Sequence, residues 1–211
     1  MLIIGAKGFA KEVLQVCHEK DDLENLAFYD DVNDDVYGKL YNTFPVLKNH
    51  SQAQEYFQTV DKRFTMGIGN PNHRRMLSEI FIELGGVFTA LVSNDARLGN
   101  YGVEVGEGTL VMSGTIITND ISIGKGSLIN LNCTIGHDSI LGEFVELSPG
   151  VHISGNCKIG HNTSIGTNAT ILPKVEVGNN VVVAAGAVVT KHIPDNCMVA
   201  GVPAIVKKTF Q

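Results

Sequence analysis

From Val105 to Val189 every sixth residue is Ile, Leu or Val. The fifteen positions are Val105, Val111, Ile117, Ile123, Ile129, Ile135, Leu141, Leu147, Ile153, Ile159, Ile165, Ile171, Val177, Val183 and Val189. These residue types form about a quarter of the chain, so chance produces such a run roughly once in 10⁸ trials or less. A period of six fits neither an amphipathic helix nor an alternating strand. It suits a parallel β-helix, in which each repeat supplies a short strand, a turn and one inward aliphatic side chain.

Two further positions support that reading. The residue after each aliphatic is often small or turn-forming: Gly106, Gly124, Asn130, Gly136, Gly142, Gly160, Gly166, Gly178. Glycine there is expected to turn a corner with positive φ. Four residues after each aliphatic stands another small or apolar residue, such as Thr109, Thr115, Ser127, Cys133, Ser139, Val145, Cys157 or Thr163. Such a residue fits inside a narrow prism. With three repeats per coil, residues 18 apart stack, so each third aliphatic falls in one of three inner columns. Five coils at a strand spacing of about 4.8 Å give a prism roughly 24 Å tall.

Residues 1 to about 90 read differently, which places a domain boundary at 90/91. Leu2–Ile4 predicts a buried strand, followed by Gly5-Ala6-Lys7-Gly8 and a helical pattern through Cys17. Further strands are expected at Leu26–Tyr29, Phe64–Ile68 and Val87–Val92, with helices near Ser51–Phe57 and Asn72–Leu84. This alternation implies a Rossmann-like parallel sheet. Gly5 and Gly8 stand where phosphate-binding turns stand, although their spacing is not that of a dinucleotide fingerprint or a P-loop. Asp30-Asp31 at the end of the second strand is placed to accept hydrogen bonds from a ribose or a base; a solvated turn is the alternative.

The charge of −6 and pI near 5.6 argue against nucleic acid or an anionic membrane as partner. No apolar run reaches spanning length, and Gly5–Gly8 interrupts the N-terminal apolar stretch too early for a signal peptide. The four cysteines, Cys17, Cys133, Cys157 and Cys197, form no CxxC pair and are expected to be reduced in a cytoplasmic protein. No histidine cluster has metal-ligand spacing, so no metal is expected.

The repeat and its ending, Val183-Ala184-Ala185-Gly186-Ala187-Val188-Val189-Thr190-Lys191, then Ile193-Pro194-Asp195-Asn196 and Val199–Ala204, resemble the hexapeptide-repeat acyltransferases. With Ile4–Gly8 leading the first domain, the whole chain resembles the NeuD-type sugar acyltransferases. That family includes sialic acid O-acetyltransferases and N-acetyltransferases of UDP-4-amino-sugars, such as the bacillosamine-pathway enzyme. The resemblance implies a left-handed β-helix over 91–211 behind a nucleotide-sugar-binding domain over 1–90. It also implies a homotrimer, and acetyl-CoA as co-substrate in surface polysaccharide or glycan biosynthesis. A UDP-4-amino-sugar is the favoured acceptor. The alternatives are sialic acid O-acetylation and a catalytically weakened binding or assembly protein.

The same resemblance assigns residues. His137 is the general base and Asp138 its partner; Asn130 lies near the acceptor group. Gly155 supplies the oxyanion N–H, and the spacing of 18 from His137 independently stacks the two on successive coils. Thr167, Ala185 and Gly186 line the pantetheine arm; Lys191, Lys207 and Lys208 are candidates to meet the CoA phosphates, with solvated lysines as the alternative. Gly5, Gly8, Asp30, Asp31, Gly69 and Asn70 hold the nucleotide, with Arg74 near a phosphate. Two positions depart from many relatives: Glu146, facing acetyl-CoA, and Phe9, facing the sugar nucleotide, each replace a histidine.

Overall fold

The computed structural model describes residues 1–210, which divide into two compact units meeting between Leu91 and Val92. The first is an α/β unit. Its strands are β1 (Leu2–Ile4), β2 (Ala27–Tyr29), β3 (Lys39–Leu40), β4 (Phe44–Leu47), β5 (Arg63–Met66) and β6 (Val87–Phe88). Its helices are α1 (Gly8–Glu19), α2 (His50–Thr59) and α3 (Pro71–Glu83). The sheet order is β3-β4-β2-β1-β5-β6, parallel throughout except for the β3–β4 hairpin. All of β1 is buried, as expected of a central strand covered on both faces. Helix α1 turns Ala10, Val13, Leu14 and Cys17 inward at i, i+3, i+4 and i+7. Asn49 caps α2 through Gln52 N–H, and Asn70 caps α3 through His73 N–H, with Pro71 opening the helix.

The chain leaves β1 toward β2 and returns across β1 to β5. The carboxyl ends of β1, β2 and β5 therefore surround the switch point where such sheets bind ligands. Gly5, Asp30 and Gly67 follow directly from those ends. Gly5 has φ +103°, and a Cβ there would meet Gly67 O at 3.0 Å, so this turn and the end of β5 approach too closely for a side chain.

The second unit is a left-handed parallel β-helix. Strand pairing runs at a register of 18, as in Ile117↔Ile135↔Ile153↔Ile171↔Val189. The other two columns are Val105–Ile123–Leu141–Ile159–Val177 and Val111–Ile129–Leu147–Ile165–Val183. Nearly all of these aliphatics are buried in one continuous core. Truncating one to alanine is expected to cost about 2–5 kcal/mol. The antiparallel pair Cys197–Ala200 and Ile205–Thr209 closes the C-terminal end.

The small inward residues also carry hydrogen bonds. Thr115 Oγ1 donates to Asn130 O and accepts from Cys133 N, and Ser139 Oγ donates to Ser154 O and accepts from Cys157 N. Thr163 repeats the pattern with Gly178 O and Val181 N. Each buried hydroxyl thus satisfies itself while tying two coils together. All four cysteines are free and buried, and burial pushes the Cys133 thiol up to about 11.

One expectation about the corners is corrected. The left-handed residue is the third after each aliphatic, not the first. From Gly108 to Gly186 that position has positive φ at every repeat, filled mainly by Gly, Asn and Asp. The glycine immediately after the aliphatic is required for another reason. A Cβ on Gly106 would lie 2.6 Å from Lys125 N, and one on Gly160 would lie 2.5 Å from Gly178 C. These glycines let successive coils touch backbone to backbone.

Candidate active site

Each coil has three corners, one after each column. The third corner, after the Ile135–Ile153–Ile171 column, stacks His137, Gly155, Pro173 and Lys191. His137 is 65% exposed, so its ring is open to a substrate. Its Nδ1 lies 2.7 Å from Asp138 Oδ2. A carboxylate only accepts, so Nδ1 carries the hydrogen and Nε2 is left as the free acceptor. Asp138 reaches back to its neighbour because its own φ is +58°, a conformation that aspartate tolerates.

Nε2 faces Gly155. A Cβ built on Gly155 would lie 2.7 Å from it, so the imidazole occupies the space a side chain would need. The Gly155 N–H donates to no atom among the described residues. At the first corner the equivalent N–H groups of Glu143, His161 and Asn179 are capped by a side chain of the following coil. Glu143 N donates to His161 Nδ1 at 3.0 Å, His161 N to Asn179 Oδ1 at 2.8 Å, and Asn179 N to Asp195 Oδ1 at 2.8 Å. Below Gly155 stands Pro173, whose ring accepts nothing. The sequence reading missed Pro173, although the same 18-residue spacing points to it.

The remaining expected residues fall elsewhere. Thr167, Ala185 and Gly186 lie on the second corner, where Gly186 N donates to Thr167 O at 2.8 Å. Asn130 is on that corner too, with its Oδ1 accepting from Leu131 N. Glu146 projects from the second face, next to Ser164, whose hydroxyl donates to Glu146 Oε2 at 3.3 Å. Lys191 is exposed on the third corner, two coils beyond Gly155, and with Lys174 and Pro173 lines a cavity of about 550 Å³. One prism therefore carries His137 on a different corner from Thr167, Ala185 and Gly186. A cavity of about 750 Å³ lies along the first face and first corner. The histidines lining it, His161 and His192, each spend Nδ1 on a backbone N–H.

In the α/β unit, Gly8 opens α1, and a Cβ there would meet nothing within 4 Å. Phe9 follows it, half-buried in the first helical turn. Asp30 is 6% exposed and accepts from Ala6 N, Val32 N, Asn33 N and Asn33 Nδ2. Asp31 is exposed and accepts from the Tyr29 hydroxyl. Gly69 and Asn70 form the bend before α3. Arg74 is 1% exposed and donates to the Gly69 carbonyl, which braces that bend from beneath. Among the described residues no group of three or more His, Cys, Asp or Glu side chains could hold a metal ion, and no helix is long and apolar enough to cross a membrane.

Comparison with known proteins matches residues 1–81 to the PglD N-terminal domain family. Residues 138–173 and 156–191 match the bacterial transferase hexapeptide family. A GDP-perosamine N-acetyltransferase of Escherichia coli O157:H7 is 27% identical over 204 residues, covering 94% of this chain and 81% of that protein. The acetyltransferase domain of PglB from Neisseria gonorrhoeae, solved with acetyl coenzyme A, is 31% identical with a TM-score of 0.84, covering 98% of each chain. A perosamine N-acetyltransferase from Caulobacter crescentus, solved with CoA and GDP-perosamine, superposes with a TM-score of 0.90 at 27% identity. That match covers 98% of this chain and 96% of the other.

Proposed function

The chain belongs to the NeuD/PglD-type sugar acyltransferases, and we propose on that footing that it transfers acetyl from acetyl-CoA to the amine of a nucleotide-linked amino sugar. One observation carries the reading: His137 Nε2 faces Gly155, whose N–H is uncommitted. The chemistry follows from that pair. The acceptor amine attacks the thioester carbonyl carbon, and His137 Nε2 takes the proton the nitrogen sheds. Asp138 holds the ring and stabilises the imidazolium. Gly155 N–H donates to the carbonyl oxygen as it gains negative charge. The carbon–sulfur bond then breaks, and His137 returns its proton to the departing CoA sulfur. The products are an amide and free CoA.

Thr167, Ala185 and Gly186 serve as the pantetheine wall, and Lys191 as a contact for CoA phosphates. Because base and wall occupy different corners, the wall facing His137 comes from a neighbouring copy in a homotrimer. Sedimentation is expected to give a trimer; a concentration-independent monomer removes this part of the proposal. Gly8, the exposed Asp31 and the Gly69-Asn70 bend frame the acceptor's nucleotide at the switch point. The sequence expectation favours UDP, while two relatives are named for GDP-perosamine. The test is acetyl-CoA turnover against UDP-4-amino-sugars, GDP-perosamine and sialic acids. Turnover with an amino-sugar nucleotide is expected. Turnover with sialic acids alone replaces this acceptor, and none with any of them removes the proposal.

A further inference from the structure

The third corner follows one ladder of main-chain bonds. Asp120 N–H donates to Tyr101 O, Asp138 N–H to Asn119 O, Asn156 N–H to His137 O and Lys174 N–H to Gly155 O. Tyr101, Asn119, His137, Gly155, Pro173 and Lys191 therefore succeed one another along the prism, one coil apart. The reading above gives the thioester and CoA the part of this ladder from Gly155 to Lys191. Tyr101 and Asn119 lie on the other side of His137 and take no part in holding the donor.

At that end the repeat changes. Its aliphatic register runs back through Leu98 and Val92, which pack against the core, but one extra residue stands between Leu98 and Val105. Strand pairing places the insertion in the third corner: Arg97 pairs with Ile116, 19 residues on, whereas Glu104 pairs with Ser122, 18 on. Gly99-Asn100-Tyr101-Gly102 thus spans a corner that the next coil closes with Thr118-Asn119-Asp120. The longer turn is fixed at both ends, since Gly99 N–H donates to Ile117 O at 2.8 Å and Ile121 N–H donates to Gly102 O at 2.9 Å. A Cβ on Gly99 would collide with Asn119 Oδ1 and Thr118 O, so only glycine lets the turn close down on the coil below. Tyr101 stands in this turn, 73% exposed. Its N–H is capped by Asn119 Oδ1 at 3.4 Å, which commits the oxygen of that exposed amide and leaves the NH2 to donate.

We propose that Tyr101 and Asn119 select the acceptor's sugar ring, with the Tyr101 ring against its C–H face and the Asn119 NH2 donating to one of its oxygens. Tyr101 lies two coils from His137, about 10 Å at the usual strand spacing. A pyranose fits that interval with its amine at His137 Nε2. A tyrosine supplies a wide, stiff apolar surface for the C–H groups, and its hydroxyl stays in water. This rests on the amino-sugar reading above and assigns recognition of the sugar to residues separate from those that hold the nucleotide or CoA.

Steady-state kinetics on the full chain test it, with acetyl-CoA and whichever of GDP-perosamine and a UDP-4-amino-sugar the wild type turns over. Tyr101→Ala is expected to raise KM for the acceptor about tenfold, with KM for acetyl-CoA within about twofold of wild type. Tyr101→Phe, which keeps the ring, restores the acceptor KM. Asn119→Ala is expected to raise the same KM about fivefold. Calorimetry with the matching free diphosphate, UDP or GDP, should give a Kd within about twofold of wild type in every variant, because the lost contact is to the sugar. An acceptor KM within twofold of wild type in Tyr101→Ala overturns this proposal alone, as does a diphosphate Kd that rises in step with the acceptor KM. Should Tyr101→Ala fail to fold, an unchanged acceptor KM in Asn119→Ala overturns it. A wild-type protein that turns over neither amino-sugar nucleotide removes the reading above and this proposal with it.

Discussion

Two corners of the same prism are built from the same repeat and end in opposite states. At the first corner, Glu143, His161 and Asn179 each have their backbone N–H capped by the side chain one coil on. At the third, Gly155 and Pro173 provide no such cap. His161 spends its Nδ1 on a main-chain amide, whereas His137 turns Nδ1 to Asp138 and keeps Nε2 open. The first corner is closed over Glu143, His161 and Asn179, because side chains of the following coil fall onto their exposed amides. The third corner stays open at His137 and Gly155 because Gly155 and Pro173 omit the side chains that would close it.

The comparison can be broken in steps. His137→Ala removes the proposed base and is expected to lower kcat about 10²–10⁴-fold with little change in CoA affinity; near-wild-type turnover rejects the assignment. Gly155→Ala puts a methyl 2.7 Å from where Nε2 now sits and must displace the ring. It should cost roughly 10²-fold in kcat, with the protein still folded by circular dichroism. Pro173→Asn imitates the first corner by offering the Gly155 N–H an internal acceptor. A loss of about tenfold in kcat is expected, and unchanged kinetics would mean that this N–H does not serve the reaction. Asn179→Ala opens the first corner instead. It should leave turnover intact and lower stability by about 0.5–1.5 kcal/mol in urea unfolding, the usual worth of one hydrogen bond.

The same contrast governs how much could be read from the sequence. The three columns, the 18-residue register and the stacking of His137 on Gly155 follow from a period repeated fifteen times. The origin of the corners did not follow, because glycine serves both positive φ and backbone contact, and spacing alone does not separate the two uses. In the α/β unit the long periodic helices were legible to within a few residues. The β3–β4 hairpin was not, since Pro45 and the polar Tyr41-Asn42 turn obscure two short edge strands. The expected strand Val87–Val92 is interrupted, because the pairing of β6 with β5 ends at Phe88. Arg74 shows a further limit: a buried strut under a loop and a phosphate ligand on its surface have the same letter and the same spacing. Asp30 is similar, its carboxylate consumed by backbone donors that no linear pattern reveals.

The most direct test of the open corner is the Gly155 amide itself. In ¹H–¹⁵N spectra of protein labelled at glycine, acetyl-CoA should move the Gly155 amide proton downfield, and CoA without the acetyl group should move it much less. Gly160 and Gly178 on the closed corner should stay in place with either ligand. That pattern means the thioester oxygen has taken the free N–H. A Gly155 resonance that responds identically to acetyl-CoA and CoA, in a protein saturated with each, would contradict the account.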